Sequence, residues 1–66
     1  MVFLDDEICK ISSYKEIELI SFNKICISFQ KKKIEIFGDD LRMTFYSKEE
    51  IYLKGKIERI IFYDKN

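Results

Sequence analysis

Ile25-Cys26-Ile27-Ser28-Phe29-Gln30-Lys31-Lys32-Lys33-Ile34-Glu35-Ile36 decides the fold. Ile25, Ile27 and Phe29 alternate with Cys26, Ser28 and Gln30, and Ile34 and Ile36 alternate with Lys33 and Glu35. A period of two sends alternate side chains to opposite faces, so each apolar set lines one face of a strand. The polar interval Gln30-Lys31-Lys32-Lys33 between the runs reads as a connection.

The same period runs outward in both directions. Downstream, Leu41, Met43 and Phe45 alternate with Arg42 and Thr44, and Ile51 and Leu53 alternate with Tyr52 and Lys54. Gly38-Asp39-Asp40 reads as a turn, because glycine tolerates positive φ and aspartate bonds its own backbone. Ser47-Lys48-Glu49-Glu50 reads as another turn, and Asn23-Lys24 as the first. Gly55 stands inside an apolar alternation, where glycine marks a bulge or a close backbone approach. In 17–22 and again in 57–62 the apolar parity flips, between Leu19 and Ile20 and between Ile60 and Ile61. A bulge, or a strand buried on both faces, produces such a flip.

The spacing predicts strands over 7–12, 15–22, 24–30, 33–37, 41–46, 50–54 and 56–63. Twelve isoleucines, ten Phe and Tyr, and no alanine or proline suit a pleated surface and disfavour helix. The expected fold is all-β: one small sheet of six to seven short antiparallel strands, as a rolled meander or small barrel. A β-solenoid-like coil is the alternative. No linker divides residues 1–66, so they form a single domain.

Sixty-six residues bury little core; a chain this short hides only about 60% of the surface its unfolded form exposes. It must pack well or share a surface with a copy of itself or a partner. Twelve basic and twelve acidic residues give a net charge of zero, which disfavours electrostatic capture of nucleic acid or anionic lipid and eases self-association. The acidic start Asp5-Asp6-Glu7 is no secretory leader, and no apolar run approaches the roughly 20 residues of a membrane helix. The composition leaves peripheral membrane association open.

Without histidine, the usual general base and the common zinc sets are missing. Cys9 and Cys26 read as buried thiols, and a disulfide between them has no secretory context to support it. Asp5-Asp6, Asp39-Asp40 and Glu49-Glu50 read as solvated loop charge. No enzyme, cofactor, metal or small-molecule substrate is expected. Lys31, Lys32 and Lys33 are the one basic cluster; with Phe29 and Phe37 nearby they make a weak candidate for RNA or single-stranded DNA. Phe22, Phe29, Phe45 and Phe62 read as core. Tyr14, Tyr46, Tyr52 and Tyr63 read as interface residues. Tyr46 and Tyr52 share a parity opposite Leu41 and Ile51, so they mark a candidate interaction surface.

Ile34-x-Ile36-x-Gly38-x-x-Leu41-x-Met43 resembles the central motif of the YabP/YqfC family of sporulation proteins. Glu50-Ile51-x-Leu53-x-Gly55-x-Ile57-x-x-Ile60-x-Phe62 is similar to that family's closing motif, and Ile11 to Ile25 fits its preceding strands. The resemblance covers residues 8–63. Lys32 stands where a turn glycine belongs in the family pattern, and Asp5 where an N-terminal glycine does. The resemblance implies a non-enzymatic sporulation protein in the cytoplasm of a sporulating bacterial cell. The expected mode of action is association with a protein partner, or with a second copy in a homo-oligomer, through an exposed sheet edge or a Tyr-bearing face. It implies no active site; Gly38 and Gly55 match as turn or bulge devices.

Overall fold

The computed structural model describes residues 1–5 and 8–65. They form six strands: β1 (Val2–Leu4), β2 (Cys9–Ser12), β3 (Glu16–Ile20), β4 (Lys24–Ser28), β5 (Lys32–Tyr46) and β6 (Glu50–Asp64). All pairings are antiparallel, in one open sheet ordered β1-β2-β6-β5-β4-β3. The protein is therefore all-β, and antiparallel pairing excludes the solenoid coil. Only β3 to β6 form a meander; the β1–β2 hairpin attaches to the far side of β6. No described helix is long and apolar enough to cross a membrane.

Two distances show that the sheet is rolled. Residues 13–15 join β2 to β3, which stand four places apart in the sheet. In a flat sheet four steps of about 4.8 Å would separate them by about 19 Å. Four residues of chain reach at most about 14 Å. The second distance is strand length: β5 and β6 each have fifteen residues, about 50 Å if straight, yet the longest dimension of the molecule is 31 Å. Both strands must bend.

The bend lies where a turn was expected. Gly38-Asp39-Asp40 is inside β5, and the expected strands 33–37 and 41–46 are one strand. Strands 50–54 and 56–63 likewise merge into β6. Register slips between Phe37 and Gly38, between Asp39 and Arg42, and between Met43 and Phe45. Asp40, at φ 53°, takes the left-handed conformation that Asp tolerates. Glycine and aspartate supply the same backbone freedom to a bulge as to a turn, so residue type does not separate the two. Gly55 has φ 127°, and a side chain there would strike the Asp40 carbonyl oxygen. A side chain at Gly38 would strike the Lys56 carbonyl oxygen. Two strands cross closely at these points because neither glycine has a Cβ.

The roll closes over Ile25, Ile27, Ile34 and Ile36 from one half and Cys9, Ile11, Ile51 and Leu53 from the other, with Leu41 at the bend. Opposed residues share a face: Ile27, Ile34 and Phe62 in one row, and Ile25, Ile36 and Ile60 in the next. The parity flip at Leu19 is a register shift between Ile17 and Leu19. The flip at Ile60 and Ile61 is not, since pairing is regular there; both are half-buried on opposite faces. The hairpin Ser47–Glu50 closes with Ser47 N–H donating to the Glu50 carbonyl (2.9 Å) and Glu50 N–H to Ser47 Oγ (3.1 Å). β1 was not expected, because three residues carry too little pattern. The expected strand 7–12 begins at Glu7, which with Asp6 lies outside the described residues.

Candidate interaction face

Alternation along β2 and β6 fixes the outer face. Cys9, Ile11, Ile51 and Leu53 point into the core, so Lys10 and Tyr52 between them point out. Registers Phe3↔Lys10, Lys10↔Tyr52 and Tyr52↔Phe45 place four side chains in one row across β1, β2, β6 and β5. The Phe45 and Tyr52 rings lie 4.8 Å apart and tilted, and the Lys10 ammonium sits 5.2 Å from the Tyr52 ring centre. Aromatic and cation–π pairing hold these groups in place without burying them. Tyr52 Oη donates to Glu50 Oε1 (3.3 Å). Arg42 and Lys54 are paired in the adjacent row on the same face. Phe3 and Phe45 are 57% and 44% exposed, too much for core aromatics and ordinary for a contact surface.

Tyr46 and Tyr52 do not share this face. The extra residue Thr44 between Met43↔Leu53 and Phe45↔Tyr52 flips the side-chain parity of β5. Phe45, expected in the core, therefore stands beside Tyr52, while Tyr46 pairs with Ile51 and projects exposed near the hairpin end. Phe22 and Phe62 are also exposed rather than core: Phe22 lies in the β3–β4 turn, and Phe62 lies where the opposing layer has ended. Phe29 packs on the core. Tyr14 does too, and its hydroxyl donates to the Ser47 carbonyl (2.5 Å). Burial is the main reason its pKa is raised, with Tyr46 adding to the effect.

The pleat disperses the basic cluster. Lys33 faces outward and pairs with Glu18 (3.1 Å), Lys32 lies on the core side and pairs with Asp64 (3.3 Å), and Lys31 lies in the connection. Phe37 is far along β5, between Lys24 and Arg59, whose charges lie 5.4 Å and 4.5 Å from its ring centre. Lys33 and Phe37 therefore leave the expected strip, and Lys31, Lys32 and Phe29 remain on one side of the sheet.

Both cysteines are free. Cys9 belongs to the core cluster, whereas Cys26 faces the other side and pairs in register with Glu35, so the two thiols do not meet. Burial pushes the Cys9 thiol up to about 11, and burial, then Glu35, raises that of Cys26. Among the described residues no three His, Cys, Asp or Glu side chains group as metal ligands.

The sheet has two unpaired edges among the described residues, β1 and β3. β1 has three residues. β3 carries Glu16 and Glu18 and its register shift. Shortness, charge and bulges are the devices that blunt edges against strand addition. Comparison with protein-family models, with curated proteins and with solved structures gave no match.

Proposed function

We propose that this chain is a non-catalytic protein-interaction module that docks through the outer row Phe3, Lys10, Tyr52 and Phe45. The supporting observation is a cross-strand row of two exposed phenylalanines, a half-buried tyrosine and a cation, with Tyr52 in contact with both Phe45 and Lys10. Tyr, Phe and Arg are enriched where proteins meet, and pre-ordered side chains lose little entropy on binding. Both edges are blunted, so the face is favoured over strand addition. The buried, unactivated thiols and the absence of histidine favour recognition over catalysis. A second copy of the chain is the first partner to test, because zero net charge opposes association weakly. The YabP/YqfC-like motifs favour a structural role in sporulation.

Light scattering over a dilution series, followed by affinity capture from sporulating cells, tests the reading. Association that survives in the wild type and is lost in the Phe45→Ser/Tyr52→Ser variant, with an unchanged circular dichroism spectrum, supports it. A strict monomer that captures no partner, or a double variant that associates as well as the wild type, defeats it.

A further inference from the structure

The core side of the sheet runs out at the β4–β5 connection. Ile27 and Ile34 are 0% and 1% exposed, but Phe62, next in their row, is 60% exposed. Met1, Val2 and Phe29 join Ile34 and Phe62 around an open groove of about 530 Å³, with Lys31 and Lys32 also on its wall. That volume falls within the roughly 300–1,000 Å³ of small-ligand sites. Among the described residues no carboxylate lines it. Asp64 lies 3.3 Å from the Lys32 ammonium, but the two side chains are 82% and 64% exposed. A pair so solvated holds its partners weakly, so Lys32 is available to another anion.

An apolar trough with two lysines on its wall complements one kind of small molecule: an apolar body with a negative head. We infer that the groove binds a single-chain amphiphile with an anionic head, of the fatty carboxylate class, taken from solution as a monomer. The tail lies along Phe62, Phe29 and Met1, and the head meets Lys31 and Lys32. Displacing water from the apolar wall drives binding, and the lysines set the preference for head charge. The groove is on the core side of the sheet, opposite the Tyr52 face, so either site can fail without the other.

Calorimetric titration of the full chain tests this, using dodecanoate below its micelle concentration and dodecyltrimethylammonium as the same tail with the opposite charge. Dodecanoate should bind one to one, at least about tenfold more tightly than the cation. Lys31→Glu/Lys32→Glu should abolish or invert that preference while keeping the fold, since both side chains are exposed. Phe62→Ser should weaken dodecanoate binding by at least about tenfold. Equal affinity for both heads, no binding of dodecanoate, or unchanged binding by both variants would overturn the inference. Sedimentation with anionic vesicles without binding of monomeric dodecanoate would assign the surface to a bilayer and overturn it too.

Discussion

Gly55 is held to glycine on two counts. Its φ of 127° is one that L side chains rarely adopt, and the space a Cβ needs is held by the Asp40 backbone. Gly55→Ala should cost at least about 1–3 kcal/mol from backbone strain alone. A domain of this length has a total stability of roughly 3–10 kcal/mol, so the urea midpoint should fall sharply. An unchanged midpoint would remove the bend from the fold. The two cysteines give a second residue-scale expectation. With Cys9 1% and Cys26 5% exposed, both should resist a thiol-specific disulfide reagent at pH 8 in the folded protein and react fully in denaturant. The isoleucine core was legible in the sequence, because the pairs Ile25 and Ile27, Ile34 and Ile36, and Ile51 and Leu53 each keep a period of two within their strand. The exposed phenylalanines were not: the period gives a face but not where the opposing layer stops, and Phe62 lies past that limit.

Elements are held by their outer face as well as by the core. Across β4, β5 and β6, Glu35 accepts from the Tyr63 hydroxyl (2.8 Å) and lies 3.8 Å from the Lys24 ammonium. The Tyr63 hydrogen bond first, then the Lys24 and Lys33 charges, lower the Glu35 pKa below its usual 4.5. A lowered carboxylate pKa means that the folded state favours the charged form. Its stabilisation is complete above the unfolded value and is lost as pH falls through the lowered one. Melting temperature should therefore drop between pH 6 and pH 3, and Glu35→Gln should drop less over the same range. An equal drop in both proteins would show that Glu35 carries none of the acid sensitivity. At this scale the sequence misled at the bulges. Gly38-Asp39-Asp40 has the chemistry of a turn, and only the pairing of Asp39 with Lys56 and Arg42 with Lys54 keeps the strand running. Thr44 carries no local signal of the shift that turns Phe45 outward, so sequence parity placed Tyr46 on a face that Phe45 occupies. β1, which supplies Phe3, was too short to be read, and Lys10 in the expected strand 7–12 carried no sign of the row it joins.

At the scale of the whole molecule, a short chain makes a closed core by bending two long strands and folding one sheet over itself. The core takes nearly all the fully buried side chains, and among the described residues ten large hydrophobic ones remain exposed. That surplus is more than solubility favours in so small a protein; Phe3 and Phe45 belong to the outer row and Met1 and Phe62 to the groove, while the other six are spread over the rest of the surface. In-cell photo-crosslinking tests the docking face most directly, with p-benzoyl-phenylalanine replacing Phe45 or Tyr52 in turn and, as a control, Arg59 on the other half of the sheet. Covalent adducts to a protein, whether a second copy or another chain, should form from positions 45 and 52 and not from 59. Adducts absent at 45 and 52, or equally abundant at all three positions, would contradict it.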